Sequence, residues 1–309
     1  MKPWAEGAVP SGAQHEIRHG AHRAIVTEVG ATLRHYSIGD EDVVDGFAVN
    51  ERASAGRGQV LAPWPNRLDH GQYRFGNKDV RAALDEPDLQ NAIHGLVRWL
   101  GWKVVTKSAE AVELACVLHP QPAYPWRVDL QVGYRLDGAG LIVHYRARNA
   151  SGVPAPFGIG FHPYLTAGVM VDDAMLRIPA SQRLVMDSRG LPTGTEAVSG
   201  SDLDFNEPKR IGTAKLDAAY TALDREPDGL ARAFLYGPTN RRRICLWVDQ
   251  AFRYFMVYTG DKIELESRRR RAVAIEPMTC PPNALRSGTD LLVIEPGATV
   301  QGLWGLTPG

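Results

Sequence analysis

Cysteine is scarce in this sequence of 309 residues, which contains only Cys116, Cys245 and Cys280. The three are widely spaced, and no Cys-x-x-Cys pair occurs. Neither a disulfide framework nor a zinc knuckle is therefore expected. Because free cysteine is commonly buried, Cys116 and Cys245 are predicted to be core residues.

A surplus of charge of either sign is also absent. The 35 lysines and arginines balance 35 aspartates and glutamates, so the protein has no global field that would attract nucleic acid, anionic lipid or another polyanion. This balance argues against nucleic acid as a partner and favours a neutral small molecule.

Long apolar segments are missing as well. No uninterrupted apolar run could span a bilayer, and the first seven residues lack the apolar centre of a signal peptide. We therefore expect a soluble, cytoplasmic protein without a membrane partner.

The chain does have a strong two-residue periodicity. Apolar and polar residues alternate over 126–136, an Asp-Gly-Ala-Gly turn follows at 137–140, and the alternation resumes over 141–148. This pattern predicts a β-hairpin with one buried face. Similar strand-like runs occur at 23–29, 33–38, 72–81, 103–107, 111–118, 231–236, 243–248 and 253–258.

The density of these runs, with Gly, Pro, Asn and Asp between them, predicts an all-β fold, an antiparallel sandwich with very little helix. One or two helical turns are expected after Pro282, and residues 187–210 are predicted to form a long loop. No low-complexity segment or internal repeat divides the chain, so residues 1–309 are predicted to be a single domain.

Three short segments carry the residues best suited to chemistry. They read Asn-Ala-Ile-His-Gly at 91–95, Gly-Phe-His-Pro-Tyr at 160–164 and Ile-Glu-Pro-Met-Thr-Cys-Pro-Pro-Asn at 275–283. Histidine titrates near neutrality, and a carboxylate in a partly dry pocket can be raised towards the same range. His94, His162 and Glu276 could therefore deliver a proton at one atom and remove a proton at another.

These segments, in this order, resemble the signatures of the aldose 1-epimerase (galactose mutarotase) family, and the resemblance runs from about residue 61 to the end of the chain. It implies a large β-supersandwich that interconverts the α and β anomers of a free hexose. It also implies that Glu276 is the general base, that His162 is the general acid and that His94 hydrogen-bonds near the ring oxygen. Because ring opening needs only proton transfers, no cofactor and no metal is expected. Mutual proximity is expected to keep Glu276 ionised and His162 protonated.

Further matches to the family suggest residues that bind the substrate, a small-molecule aldose. Asn66 and Arg67 resemble the Asn-Arg pair of the family, whose arginine binds sugar hydroxyls, and a planar guanidinium suits two vicinal oxygens. Asp217, within Lys-Leu-Asp-Ala-Ala-Tyr at 215–220, resembles the family aspartate that accepts hydrogen bonds from hydroxyls.

The sequence departs from the family pattern at 94–98. The family motif often reads His-Gly-Gly, whereas this chain has His-Gly-Leu-Val-Arg, which resembles the related hexose-6-phosphate mutarotases. There an arginine at such a position meets a phosphate, so Arg67 and Arg98 could together serve a phosphosugar. Because 275–283 and the Asn-Arg pair are more similar to the galactose-type branch, the unphosphorylated aldose is favoured, with the phosphosugar as the alternative. In the favoured case, Arg98 braces the loop that carries His94.

Two further alternatives stay open at the level of sequence. This kind of sandwich can serve as a non-catalytic carbohydrate-binding module, although a pure binder would need no acid–base pair. Two histidines and a carboxylate could also form a facial-triad metal site. The usual close His-x-Asp/Glu spacing is missing, which disfavours a metal.

Two other features of the sequence are interpreted as structural rather than functional. Cys280, inside the 275–283 segment, is predicted to pack at the rim of the site rather than to act as a nucleophile. The arginine clusters at 241–243 and 268–271 are predicted to be solvated strand ends or loop tips, because acidic residues lie close to them in the sequence.

Overall fold

The alternating segments form antiparallel strands in the computed structural model, which describes residues 7–238 and 242–309. The first nine strands are β1 (Gln14–His19), β2 (His22–Thr27), β3 (Leu33–Ile38), β4 (Glu41–Asp42), β5 (Val60–Leu61), β6 (Arg67–Asp69), β7 (Gln72–Phe75), β8 (Lys78–Arg81) and β9 (Asn91–Ile93). The next nine are β10 (Lys103–Lys107), β11 (Ala111–Leu118), β12 (Val128–Asp137), β13 (Gly140–Asn149), β14 (Ala155–Phe157), β15 (Gly160–Phe161), β16 (Tyr164–Leu165), β17 (Met175–Arg177) and β18 (Ala180–Met186). The last nine are β19 (Pro192–Ala197), β20 (Lys209–Arg210), β21 (Asp217–Leu223), β22 (Ala231–Tyr236), β23 (Arg243–Val248), β24 (Tyr254–Tyr258), β25 (Val273–Met278), β26 (Leu292–Ile294) and β27 (Thr299–Pro308).

Helix contributes little to the described residues, as the sequence predicts. The one α-helical segment described is α1 (Ala284–Ser287), which confirms the turn expected after Pro282. Three 3-10 turns complete the regular structure: Pro87–Leu89, Val171–Asp173 and Glu266–Arg268. Among the described helices, none is long and apolar enough to cross a membrane.

Two large antiparallel sheets dominate the fold. The first has nine strands in the order β10-β11-β12-β13-β27-β23-β22-β17-β20. The predicted hairpin is its β12–β13 pair, in which Asp137 faces Gly140 across the turn. The second sheet follows the order β19-β18-β21-β24-β25-β15-β5, with β16 also paired to β25. This second sheet contributes Tyr164, Asp217, Tyr258 and Glu276 to the cavity described below.

Side chains from both sheets share one apolar core. On β12 every second residue from Val128 to Leu136 is buried, because successive side chains of a strand point to opposite faces. Phe161 beside β25 meets Trp304 of the first sheet with their ring centroids 5.3 Å apart. Burying a large apolar side chain contributes about 1.5–3 kcal/mol relative to exposure. The alternation read from the sequence is therefore the pattern that joins the two sheets.

One predicted loop contains strands instead. Residues 187–210 include β19 and β20, so the loop prediction is wrong for those parts of the segment. The last five residues of β19 are exposed, and the strand lies at the edge of its sheet. An edge strand with no buried face needs no apolar alternation, which explains why no strand pattern is visible in this part of the sequence.

The arginine clusters are engaged in ion pairs at the surface. Arg268 contacts Asp45 at 3.2 Å, and Arg270 contacts Asp172 at 2.6 Å and Asp261 at 2.8 Å. In the other cluster, Arg242 donates to the backbone carbonyl of Asp42, and residue 241 lies outside the described residues. Arg242 Nε also lies 3.7 Å from Glu41 Oε2, so acidic side chains compensate charge in both clusters, which agrees with the interpretation of these arginines as surface residues.

Candidate functional site

All seven residues singled out in the sequence line one cavity of about 380 Å³. The chain brings them from five separate segments to one place. They are Asn66, Arg67, His94, Arg98, His162, Asp217 and Glu276.

Strand pairing sets His162 against Glu276. Glu276 lies in the middle of β25, and His162 lies in the short gap between β15 and β16. Both of those strands pair with β25: Gly160 is opposite Met278, and Tyr164 is opposite Ala274. The backbone on both sides of His162 is thus fixed to the backbone on both sides of Glu276.

The two side chains meet directly. His162 Nε2 lies 3.3 Å from Glu276 Oε1, and the two residues are only 4% and 2% exposed. Burial, followed by the negative charge of Asp217, raises the pKa of Glu276 well above its usual value. Burial, followed by the positive charge of Arg57, lowers the pKa of His162 to about 3.

The raised pKa of Glu276 and the lowered pKa of His162 both favour a neutral pair, with its single proton on Glu276. The expectation of an ionised Glu276 beside a protonated His162 is therefore wrong for this geometry. Taking two charges out of water costs more than their attraction returns unless further polar groups compensate. Proximity alone, which is all the sequence suggested, does not decide the charge state.

His94 is held as a neutral hydrogen-bond donor. Its Nδ1 accepts a hydrogen bond from the backbone N–H of Asn66 at 3.2 Å, so the ring proton of the neutral imidazole belongs on Nε2. Its own backbone N–H donates to the carbonyl of Asn66 at 2.9 Å. Burial, followed by the positive charge of Arg98, lowers the pKa of His94 well below its usual value. The His94 ring lies edge-on to His162 with centroids 5.4 Å apart.

The position after His94 requires glycine for steric reasons. Gly95 has a φ of +69°, and a Cβ there would lie 2.1 Å from the carbonyl oxygen of Ala62. Any other residue would clash with the neighbouring backbone in a conformation that L-residues rarely adopt. The His-Gly pair therefore marks a place where the backbone beside His94 packs closely against the backbone of Ala62.

Arg67 joins two carboxylates of the site, those of Glu86 and Asp217. Its Nε and Nη2 donate to Glu86 at 2.8 and 3.0 Å, and its Nη1 lies 3.7 Å from Asp217 Oδ2. Its backbone N–H donates to Asn66 Oδ1 at 2.9 Å. Asn66 adopts a φ of +55°, which asparagine tolerates better than most residues. In this arrangement Asn66 shapes the backbone of the site, while Arg67 and Asp217 face the cavity.

Arg98 and Asp85 form a clamp on the residue before His94. Arg98 Nη2 donates to Asp85 Oδ2 at 2.7 Å and to the carbonyl of Ile93 at 3.0 Å. Asp85 Oδ1 accepts from the N–H of Ile93 at 2.7 Å. The two side chains thereby hold both backbone polar groups of Ile93, which fits the predicted role of Arg98 as a brace for the His94 loop.

Several lining residues were not found from the sequence. Tyr164, whose ring stacks on His162 at 5.0 Å, stood two positions after that histidine in a singled-out segment, which was a usable signal. Glu86 and Asp85 lie in an irregular segment with no motif, so only the fold reveals them. Trp99 and Lys262, both exposed, also line the cavity.

Cys280 is not at the rim of the site. It is fully buried, and a Cβ at Gly158 would lie 2.3 Å from its sulfur. Burial raises the pKa of its thiol to about 12, so the side chain is a protonated packing group. No group of three or more His, Cys, Asp or Glu side chains within 7–238 and 242–309 is arranged to hold a metal ion.

Comparison with known proteins adds to this geometry. The sequence model of the family described as Aldose 1-epimerase matches residues 13–304. The chain is 34% identical over 289 residues to uncharacterized protein YihR of Escherichia coli K12, which covers 93% of this chain and 90% of that protein. It is 26% identical over 226 residues to human galactose mutarotase, covering 67% of this chain and 65% of the human protein.

Solved structures share the fold at lower identity. The GalM/aldose epimerase homologue from C. elegans superimposes with a TM-score of 0.86 at 18% identity, covering 96% of this chain and 98% of that one. Galactose 1-epimerase from Lactobacillus acidophilus does so with a TM-score of 0.79 at 21% identity, covering 94% and 92%. At these identities the likeness concerns the fold alone.

Proposed function

Because this chain belongs to the aldose 1-epimerase family, an isomerase class, we propose that it interconverts the α and β anomers of a free hexose. The proposal is carried by the contact of 3.3 Å between His162 Nε2 and Glu276 Oε1. That contact lies in a cavity that also holds His94 and Arg67.

The reaction needs one proton removed and one proton added on neighbouring atoms. Glu276 takes the proton of the C1 hydroxyl, the bond between C1 and the ring oxygen breaks, and His162 protonates the ring oxygen. Rotation about the C1–C2 bond turns the aldehyde, and the ring closes on its other face as both protons return. The two sugar oxygens are bonded to the same carbon, so an acid and a base this close together can serve both.

The proton states of the pair follow the reaction. The cyclic sugar needs an ionised Glu276 and a protonated His162, whereas the open chain leaves Glu276 protonated and His162 neutral. Burial favours the second state, and the polar hydroxyls of the bound sugar offset part of the desolvation cost of the first. A reversible proton transfer requires that these two opposing effects leave the two proton states close in free energy when the sugar is bound.

The remaining residues orient the sugar. Arg67 Nη1 and the half-exposed carboxylate of Asp217 present a donor and an acceptor 3.7 Å apart, a spacing suited to neighbouring hydroxyls. His94 Nε2–H supplies a neutral donor. Since Arg67 pairs with Glu86 and Arg98 pairs with Asp85, neither arginine offers an uncompensated charge to the substrate. This supports a neutral sugar over a phosphosugar.

The test is a mutarotation assay by NMR exchange or polarimetry on glucose, galactose and glucose-6-phosphate. We expect turnover of at least one free hexose with no advantage for the phosphate. Faster turnover of glucose-6-phosphate than of either free hexose would favour the phosphosugar alternative. Saturable sugar binding without acceleration of mutarotation would leave a carbohydrate-binding protein instead.

A further inference from the structure

Arg57 is a buried cation on the far side of the His162 ring system. It is 1% exposed and is not among the residues that line the cavity. Its guanidinium carbon lies 4.2 Å from the centroid of the Tyr164 ring. Tyr164 in turn stacks on His162, with ring centroids 5.0 Å apart and an interplanar angle of 15°. A cation–π contact and a ring stack thus connect the guanidinium of Arg57 to the imidazole of His162.

Stability alone does not explain a cation at this place. Arg57 Nη1 lies 3.3 Å from Asp45 Oδ2, but its Nε and Nη2 make no hydrogen bond with any described residue. A buried charge with unused donors costs free energy. Asp45 does not depend on Arg57 for compensation, because Arg268 contacts its other oxygen at 3.2 Å.

The segment 55–59 surrounds His162 and its stacked tyrosine. The Tyr164 hydroxyl donates to the carbonyl of Ala55 at 3.0 Å. A Cβ at Gly56 would lie 2.4 Å from His162 Cδ2, so this backbone touches the imidazole. The N–H of Gly58 donates to the carbonyl of His162 at 2.9 Å, and the N–H of His162 donates to the carbonyl of Gln59 at 3.1 Å. Arg57 lies within the segment that holds the proposed general acid.

We propose that Arg57 is a positioning residue for the proton transfer: through Tyr164 it fixes the plane of the His162 imidazole and places a permanent positive charge behind it. The inference rests on the proposed function for its catalytic meaning, although the contacts themselves are independent of it. A positive charge behind the ring weakens the hold of His162 on its proton. Protonated His162 then gives that proton more readily to a weakly basic ring oxygen.

Other charged or titratable groups also face His162 and enter its titration. Glu276 lies on β25 and Tyr164 on β16, whereas His94 and Arg98 lie in the segment that follows β9. After burial, Arg57 makes the largest contribution among the side chains to lowering the pKa of His162.

The first test is an NMR titration of the His162 ring, assigned by the signal that disappears in His162→Asn, because it requires no activity. Arg57→Met removes the charge and keeps an unbranched stem. We expect the pKa of His162 to rise from about 3 in the wild type by on the order of one pH unit in Arg57→Met. Arg57→Lys, which keeps a cation, should stay near the wild type.

Arg268→Met is the matched control, since Arg268 contacts the same Asp45 but makes no ring contact with Tyr164. It should leave the His162 titration unchanged. If Arg57→Met does not fold, Arg57→Gln replaces it with the same expectation. A folded, uncharged Arg57 variant in which His162 titrates as in the wild type overturns the proposal.

The second readout is the pH profile of kcat/KM for mutarotation. The acid limb should move to higher pH in Arg57→Met, with KM little changed, and should stay in place in Arg268→Met. A role in stability alone would lower activity uniformly without moving the limb. If the wild type catalyses no mutarotation, the proposed function fails, and the NMR titration still decides whether Arg57 controls His162.

Discussion

Glu276 and His162 are almost fully buried, so the location of the single proton that they share is the central property at the scale of single residues. The pKa of Glu276 is raised and that of His162 is lowered, in both cases mainly by burial. In the absence of sugar, the first shift opposes the loss of a proton from Glu276, and the second opposes the protonation of His162. The sugar must therefore supply part of the polarity that the ion pair needs, which links substrate binding to the start of the reaction.

Replacing Glu276 by Gln removes the base while keeping the shape of the side chain. Catalysed mutarotation should fall by a factor of about 100 to 10,000, the usual contribution of one general base, and sugar binding should persist. The measurement is mutarotation by polarimetry, with binding followed by calorimetry as the control. Near wild-type rates would refute the assignment. His162→Asn should lower the rate of mutarotation to a similar extent. The double variant, Glu276→Gln with His162→Asn, should lose much less activity than the product of the two single losses, because the two residues act as a unit.

The pH dependence of kcat/KM should be bell-shaped, with one proton on the pair in the active form. As pH falls towards the pKa of about 3 for His162, a second proton enters and activity is lost. As pH rises through the raised pKa of Glu276, the only proton leaves and activity is lost again. Rates corrected for spontaneous mutarotation test this. An acid limb near the ordinary histidine pKa of about 6.5 would contradict the burial argument.

Among the elements of the structure, the short segments between strands carry both histidines of the site, and specific contacts hold each of these segments in place. The turn at 94–95 depends on a glycine that leaves room for a neighbouring carbonyl. The gap between β15 and β16 is fixed because both strands pair with β25. The strands provide a rigid frame, so a few hydrogen bonds are enough to orient each loop.

The clamp formed by Arg98 and Asp85 gives a prediction at the scale of this loop. Both side chains bind the backbone of Ile93, so Arg98→Ala and Asp85→Ala should lower turnover of a free hexose to a similar extent. Their double variant should be little worse than either single variant, because each breaks the same clamp. The measurement is kcat/KM for glucose and galactose in the four proteins.

A phosphate-binding arginine would behave differently in the same experiment. Arg98→Ala would then weaken glucose-6-phosphate selectively, by the roughly 1.5 to 3 kcal/mol of a hydrogen bond to a charged group, and spare the free hexoses. Asp85→Ala would not reproduce that selectivity. The comparison therefore separates a bracing role from substrate recognition.

For the molecule as a whole, two sheets bring distant segments of the chain to one cavity. Arg67 begins β6, which pairs with β9, whereas Asp217 begins β21 and Glu276 lies on β25 in the second sheet, so the site exists only when these separate strand pairings have all formed. Residues that are over 200 positions apart in sequence become neighbours through strand pairing. Loss of the fold would remove the whole site at once rather than one residue at a time.

Activity of the intact protein should not depend on a metal. The proposed reaction consists of proton transfers alone, and one nitrogen of each histidine ring already has a partner: His94 Nδ1 accepts from the backbone N–H of Asn66, and His162 Nε2 lies 3.3 Å from Glu276 Oε1. Dialysis against EDTA should therefore preserve mutarotation, with activity and metal content measured before and after. Loss of activity together with loss of stoichiometric zinc or iron would revive the facial-triad alternative.

Much of the fold was predictable from local pattern. The strands at 33–38, 103–107, 111–118, 231–236 and 243–248 occur with the predicted bounds, because alternation of buried and exposed side chains is a local consequence of a two-residue repeat. β19 was missed because an exposed edge strand has no buried face to encode. The pattern therefore specifies strands where a core has to be built and is silent elsewhere.

Local sequence was enough to identify His94, His162 and Glu276 as candidate site residues, because neighbouring Gly and Pro residues mark restrictions on the backbone around them. The proton state of the Glu276–His162 pair depends on the fold, because the desolvation that shifts both pKa values comes from everything packed around the two side chains. The fold also decided the partners that no motif announces. Arg57 behind Tyr164 and Glu86 beside Arg67 come from segments without a signature, and strand pairing between distant parts of the chain is what brings them to the site.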